Sequence, residues 1–598
     1  MITSPLEFHK IRVMLKRIFS VLLIGATIAC TATPRIEKDV QGSNNLKPDG
    51  RHSVITKEIA ELIANYNYKK VNLGDSLSAV IFDKYLESLD PNKSYFLASD
   101  IEEFKAFRDK MDDDLKAGDL SSTFYMFNVY QKRYFERMKY SLKELDKKFD
   151  FTKDEKYVYS REDLAWFKNI NESNAWWENK VKYDYLNMKL IGSSNSDSVK
   201  KAEAKLSAAQ RTAKSDSVIK SSLTKRYQNL ISQSEKINSE DAFQLIMSSF
   251  TESIDPHTNY FNPANAANFN IDMSRSLEGI GATLSSENEF VTIKGIVAGG
   301  PADKSKQFKV DDKILAVAQG KDGEFVDVVG WRLDNAIALI RGKKGTIVRL
   351  KILSKNQDLA ATPKVVELVR EKIILQDMSA QKKIKTVTRD GKSYKYGIIE
   401  IPAFYADWEA MQAGDKNYKS TTRDVKLLLD SLKAEKVDGV VIDLRTNGGG
   451  SLLEAIELTG LFIPQGPVVQ VRDLRGRVDV ERDEDPSVTW DGPLEVLVDR
   501  FSASASEIFA GAIQDYGRGV ILGNNTYGKG TVQSAIAMQR VNSSLGAKGG
   551  QINLTTGKFY RVNGSSTQHK GVKPDIEFPM IFPADKYGES AEASALPW

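Results

Sequence analysis

The stretch Leu494-Glu-Val-Leu-Val-Asp499, followed by Arg500-Phe-Ser-Ala-Ser504-Ala-Ser-Glu507, decides the architecture of the C-terminal half. The first six residues form an apolar run of strand length, and a helix is expected from about Ser504 to Tyr516. The same grammar recurs on either side. Gly439-Val-Val-Ile-Asp-Leu444 reads as a buried strand that ends in Asn447-Gly-Gly-Gly450 and leads into a helix through Leu452 to Leu461. Gly519-Val-Ile-Leu-Gly523 reads as a strand before a glycine loop, and Tyr396-Gly-Ile-Ile-Glu-Ile401 as another strand. Strand, sharp turn, helix and strand in alternation predict an α/β layer structure from about Val366 to Phe582. In such sheets, functional groups gather at the carboxyl ends of strands.

Two of those ends carry chemistry. Ser504 sits at a strand-to-helix turn between alanines small enough to admit a substrate, and a helix N-terminus offers free N–H groups to a developing oxyanion. Taken alone, Ser502, Ser504 and Ser506 read equally well as helix caps. Thr526-Tyr-Gly-Lys529-Gly-Thr-Val-Gln533 places a lysine between two glycines, where a long side chain can turn inward. Such a lysine serves as a general base once burial lowers its pKa from ~10.4 toward ~7–8; alone, it reads as a solvated loop lysine. The chain holds only four histidines (His9, His52, His257 and His569), which leaves few candidates for a histidine base or a zinc site. Gly523-Asn-Asn-Thr-Tyr-Gly528-Lys529-Gly530 fits the phosphate loop in all but its last position, the magnesium-binding Ser or Thr, so nucleotide binding is not expected.

Working outward, 598 residues exceed one compact core, and 41% apolar with 27% charged residues is ordinary globular composition. A net charge of +4 gives no case for a nucleic-acid partner, and the single Cys30 excludes an intramolecular disulfide. His9, Lys10, Arg12, Lys16 and Arg17 precede an apolar stretch, Ile18 to Ala29, of signal-peptide length, with Met14 as an alternative start. Thr27-Ile-Ala-Cys30 resembles a bacterial lipobox, which makes Cys30 the expected lipidated residue and membrane anchor; cleavage at Ala29 or Ala32 by the general signal peptidase is the alternative. The expected divisions are a signal at 1–30, a polar tether at 31–50, a helical N-terminal domain at 51–265, a small α+β module at 267–355 and the α/β domain at 366–598. Within the helical part, Trp166, Phe167, Trp176 and Trp177 read as core, and residues 192–220 as a mobile helix or loop.

The set Asp443-Leu-Arg-Thr-Asn-Gly-Gly-Gly450, Val498-Asp-Arg-Phe-Ser-Ala-Ser-Ala-Ser-Glu507 and Gly528-Lys-Gly-Thr-Val-Gln533 resembles the tail-specific proteases, or C-terminal processing peptidases, in their envelope-located branch. The resemblance implies a nucleophile at Ser504, a base at Lys529 25 positions on, and Gln533 four beyond it to orient the lysine. It implies an oxyanion hole from the N–H groups of Gly449 or Gly450 and of Ala505. The family pattern also marks Asp515. That residue lies three helical turns from Ser504, roughly 16 Å at 1.5 Å per residue, so a structural role is expected, through Arg518 or a neighbouring loop.

The module at 267–355 resembles a PDZ domain, with Gly279, Ile280, Gly281 and Ala282 as its carboxylate-binding loop. Gly299-Gly-Pro-Ala302 and Val310-Asp-Asp-Lys-Ile-Leu315 follow at PDZ-like positions. The whole is then a multidomain α+β chain: a helical N-terminal domain, a PDZ domain and an α/β protease domain of crotonase and caseinolytic-protease type. It implies a serine endopeptidase without metal, nucleotide or other cofactor. The expected substrates are periplasmic and envelope proteins with apolar C-termini, and the expected partners include an adaptor lipoprotein. A scaffold or chaperone that binds carboxylates with a decayed site is the alternative. Relatives implied by the resemblance continue into a further helical segment beyond Ala595-Leu-Pro-Trp598, where this chain stops.

Overall fold

The computed structural model describes residue 41 and residues 44–192, 207–287, 289–357 and 361–598. The signal-like segment, Cys30 and residues 193–206 therefore lie outside the described residues.

The N-terminal part is helical, with helices Gly50–Tyr66, Asp75–Leu89, Ser121–Glu144, Ile170–Gly192, Ala208–Glu235 and Ser239–Ile254. Gly50–Tyr66 starts where the Asp49 carboxylate accepts the N–H of His52, and it buries Ile55, Ile59 and Ile63 at four-residue spacing. Phe167 and Trp177 are buried, and the Trp177 indole donates to the carbonyl of Ser94, so these aromatics are core as expected. The stretch read as a mobile helix or loop is regular helix from Ala208 onward.

The PDZ-like module is a sheet in the order Ala282–Glu287, Phe290–Ile296, Lys313–Gln319, Ile347–Leu353, Lys364–Val369, covered by the helix Leu333–Ile340. Ile280, Val291, Ile293, Ile314, Ala336, Ile340 and Leu350 fill its core. The last strand lies beyond the expected end at 355. Lys364–Val369 buries Val366 and Leu368, turns its other four residues to solvent, and joins this sheet by pairing antiparallel with Ile347–Leu353.

The α/β part contains a six-stranded sheet in the order Gln381–Arg389, Lys392–Glu400, Gly439–Asp443, Leu494–Val498, Val520–Gly523, Ile576–Glu577. The first pair is antiparallel and the remaining pairs are parallel. Helices Thr421–Ala434, Leu452–Gly460 and Ala505–Asp515 pack on it around Val440, Ile442, Val496, Phe462 and Phe509. The turns quoted from the sequence leave the carboxyl ends of three adjacent parallel strands.

A second, antiparallel sheet joins Asn259–Phe261, Gln551–Tyr560, Gly466–Asp473 and Val478–Asp483, with Thr531–Ala537 on the same Gln551–Tyr560 strand. Asn259–Phe261 follows directly on the last N-terminal helix, so the helical part is stitched into this sheet. Thr555 fixes the seam: its hydroxyl donates to Asp255 at 2.7 Å, and its N–H to Thr258 Oγ1 at 3.1 Å.

Candidate active site

The strand Leu494–Val498 delivers Ser504 at the N-cap of helix Ala505–Asp515 in a conformation serine rarely adopts, φ 56°, ψ −112°. Such a turn lifts a serine hydroxyl clear of the backbone. It is held from below. Asn447, fully buried, accepts at its carbonyl from Ala503 N–H (3.0 Å) and Ser506 Oγ (2.9 Å), while its amide donates to the carbonyl of Ile401.

The glycine triplet closes over the serine. A Cβ on Gly449 would lie 2.8 Å from Ser504 Cβ, and its φ is 103°, so only glycine fits this approach. The N–H of Gly449 is taken by Asn447 Oδ1 at 2.9 Å. Of the three expected oxyanion donors, Gly449 is therefore engaged in this structure. The N–H groups of Gly450 and Ala505 donate to no acceptor found among the described residues.

Lys529 follows the strand Val520–Gly523 and precedes the strand Thr531–Ala537, the reverse of a phosphate loop, which feeds a helix. Burial lowers the lysine below its ordinary value, against the pull of Glu589, Asp255 and Glu507, in that order.

Ser504 and Lys529 meet on one carboxylate. Glu507, fully buried, accepts from Ser504 N–H at 2.8 Å and Lys529 N–H at 3.0 Å through Oε2. Its Oε1 accepts from Gly528 N–H at 2.7 Å and Thr526 Oγ1 at 2.6 Å. Burial pushes Glu507 up to about 7 while these donors pull it down. The two turns are thus locked together through their backbones. No hydrogen bond between Ser504 Oγ and Lys529 Nζ is found; such contacts are often long in unliganded enzymes.

Gln533 sits one step away. Its Nε2 donates to Thr531 Oγ1 (3.0 Å) and Thr555 Oγ1 (3.1 Å) beside a bulge at Val532/Gln533, and no hydrogen bond from Lys529 Nζ to its Oε1 is found among the described residues. Asp515 lies at the far end of the helix and pairs bidentately with Arg561, at 2.6 and 3.1 Å, with Asn563 Nδ2 at 2.8 Å. Arg518, the partner expected from its nearness in sequence, lies past the turn at Gly517 and donates instead to the carbonyls of Phe462, Trp490 and Gly492. Neither His257 nor His569 bonds the serine: His257 contacts Glu589 at 2.7 Å, and His569 the carbonyl of Leu596 at 2.7 Å.

In the PDZ-like loop, Gly281 has φ 74°, and the N–H groups of Ile280 and Gly281 donate to no acceptor found among the described residues. Ala282–Glu287 pairs only with Phe290–Ile296, so it presents a free strand edge beside the helix Leu333–Ile340.

Glu507, Asn447 and Glu589 were not assigned roles from sequence. The legible trace of Glu507 was an acidic residue inside the apolar helix Ala505–Asp515, which buries eight other residues around it.

Three family models match the chain: the tail-specific protease N-terminal domain at residues 59–264, a PDZ domain at 270–353 and peptidase family S41 at 395–578. The tail-specific protease of Haemophilus influenzae is 40% identical over 544 residues, 91% of this chain and 72% of its own length. The carboxyl-terminal-processing protease of Synechocystis is 30% identical over 348 residues, 58% of this chain and 73% of its own. Among solved structures, the PDZ domain of a carboxy-terminal protease from Vibrio cholerae, in complex with peptide, is 47% identical. It covers 16% of this chain and 97% of its own, with a TM-score of 0.16. With a helical N-terminal domain, a PDZ domain and an α/β domain that gathers Ser504 and Lys529 on Glu507, the chain belongs to the tail-specific proteases of peptidase family S41 and is a serine-type peptidase.

Proposed function

We propose that this peptidase cleaves peptide bonds with a Ser504–Lys529 dyad, on envelope proteins that it grips by apolar C-termini. Lys529, its pKa lowered by burial, takes the Ser504 proton in its neutral form as the hydroxyl attacks the scissile carbonyl. The tetrahedral oxyanion forms against the N–H groups of Gly450 and Ala505, helped by the positive end of helix Ala505–Asp515. Lys529 then passes its proton to the leaving amine, and water releases the acyl-enzyme. Gln533 and Asp515 act on structure rather than on the reacting atoms. The observation that carries this reading is Glu507, which gathers the backbones of both dyad residues on one buried carboxylate.

C-terminal recognition is assigned to the PDZ loop Gly279–Ala282. Its unengaged N–H groups suit a terminal carboxylate, and the free edge of Ala282–Glu287 suits an added peptide strand. The basic n-region and apolar stretch before Cys30 support export to the periplasm, with lipidated Cys30 as the anchor.

A fluorophosphonate probe tests the dyad. It is expected to label Ser504 in the full chain and to fail with Ser504→Ala and Lys529→Ala. Unchanged cleavage of an apolar-tailed protein by Ser504→Ala would reject the dyad and favour the scaffold reading. Equal cleavage rates for apolar and acidic tails on one substrate would reject the PDZ assignment.

A further inference from the structure

The segment Tyr587–Pro597 meets the lysine loop at Tyr527 and is tied along its length to the residues around it. Arg500 Nε donates to the carbonyl of Tyr587 at 2.8 Å, Lys69 Nζ to that of Ser594 at 2.9 Å, and Lys558 Nζ to that of Pro597 at 2.6 Å. Gln568 Nε2 reaches the carbonyl of Leu596 at 2.8 Å, and the Leu596 side chain is buried. Inside this strap sits Glu589, an acid with 0% exposure that the dyad chemistry leaves unused.

Its contacts form a bracket. Glu589 N–H donates to the carbonyl of Tyr527 at 3.0 Å. Its Oε1 accepts from Gln568 Nε2 at 2.8 Å, and Gln568 Oε1 in turn accepts from Gly530 N–H at 2.7 Å. Lys529 lies between the two residues so held. Glu589 Oε2 meets His257 Nε2 at 2.7 Å, from the turn that leaves the helical domain.

We propose that Glu589 is a positioning residue of the lysine loop: it fixes Tyr527 and Gly530 on either side of Lys529, and its carboxylate, shared with His257, sets the charge that the lysine faces. The inference rests on Lys529 being the base. Three acids surround that lysine: Glu507 from the helix Ala505–Asp515, Asp255 from the end of the helical domain, and Glu589 from the strap, whose pull is the largest of the three. Asp255 also feels Lys69. Around Glu589 stand His257, the Arg500 guanidinium against Gly588, and Glu592, which shares the Tyr527 ring with it. An anion held this close favours the ammonium form, so the bracket fixes the loop while leaving less of the lysine as free base at neutral pH.

The rate at which a fluorophosphonate labels Ser504 is measured in the full chain from about pH 5 to about pH 10, where a lysine base activates serine only once deprotonated. Wild type is expected to rise through a single midpoint. Glu589→Gln keeps both side-chain hydrogen bonds, its oxygen accepting from Gln568 and its NH2 donating to His257 Nε2 in the tautomer protonated on Nδ1, and loses the charge, so its midpoint falls by about one pH unit with the plateau intact. His257→Ala removes the group that shares the carboxylate, and its midpoint rises. Glu589→Ala breaks the bracket, and its plateau falls about tenfold, a loss that Glu589→Gln restores. Midpoints that coincide with wild type, or that move in the same direction in Glu589→Gln and His257→Ala, overturn the proposal. If Glu589→Gln does not fold by circular dichroism, His257→Ala decides on the sign of its shift. A wild type that does not label at Ser504, or a Lys529→Ala that labels at the wild-type rate, refutes the dyad itself and is read before any variant of Glu589.

Discussion

Glu507→Gln changes one atom at the point where the two turns meet. The carboxylate has four donors and no spare oxygen: Ser504 N–H and Lys529 N–H on Oε2, Gly528 N–H and Thr526 Oγ1 on Oε1. Glutamine must place an NH2 at one of these positions. At the Oε2 position it faces two backbone N–H groups, both left without acceptors. At the Oε1 position it faces Gly528 N–H and the Thr526 hydroxyl. That hydroxyl already accepts from Val572 N–H at 2.7 Å, but it can rotate its proton away. The second orientation orphans one buried N–H rather than two and is the one expected.

One orphaned buried donor costs about 1–3 kcal/mol, and every 1.4 kcal/mol is tenfold in an equilibrium constant. Opening of the lysine loop is therefore expected to become about 10- to 100-fold more frequent in Glu507→Gln, since the lost bond stabilises only the closed loop. Hydrogen–deuterium exchange of a peptide spanning residues 526–530 reads this directly, with the peptide from helix Leu333–Ile340 as an internal control. Labelling of Ser504 should fall in parallel, because the same carboxylate holds the serine turn. Exchange at 526–530 unchanged in a folded Glu507→Gln would show that the loop is held by other contacts. The account of Glu507 as the joint between the two turns would then be wrong.

Further outcomes follow from the same geometry. Gly449→Ala puts a methyl 2.8 Å from Ser504 Cβ at φ 103°, and probe labelling is expected to drop about 100-fold in a folded protein. Asp515→Asn should label within about threefold of wild type yet lose about 3 kcal/mol of resistance to unfolding, because Arg561 keeps its charge in a site where its side chain is only 13% exposed. A folded Asp515→Asn that is inactive would contradict the structural role. Lys529→Met should abolish labelling and raise the melting temperature at neutral pH. The folded-state pKa of Lys529 is depressed, so unfolding takes up a proton between that value and ~10.4, and stability in this window rises with pH. In the variant, that contribution to the pH slope disappears.

Much of the fold was legible because its parallel strands are continuous apolar runs, as sheets covered on both faces require. Gly439–Asp443, Leu494–Val498 and Val520–Gly523 fall where the sequence places them, and Ser504 and Lys529 stand at the ends of two of them. What escaped was non-local. The strand Lys364–Val369 reads as a strand, but its place in the PDZ-like sheet comes from pairing with Ile347–Leu353, which no local pattern assigns. Of the two partners expected for Asp515, Arg518 is engaged elsewhere and the neighbouring loop holds, through Arg561, which lies 46 positions on and which no local pattern singles out. Glu507 stood in the quoted motif, but its four donors come from two loops that only the folded sheet brings together.

The surroundings of Lys529 explain why so much of the chain bears on one amine. A buried lysine needs only burial to lose its proton at neutral pH, and a single oily pocket would supply that. Here the site is instead ringed by three carboxylates from three separate parts of the chain: Asp255 at the exit of the helical domain, Glu507 beneath the serine turn and Glu589 in the C-terminal strap. Each also has structural work to do. Asp255 seats Thr555 of the long antiparallel strand, Glu507 joins the two turns, and Glu589 spans the lysine loop. Displacing any of the three removes both an anchor and a negative charge. The three anchors therefore tie the position of Lys529 to the helical domain, the α/β sheet and the strap at once, while their charges hold its proton against the effect of burial.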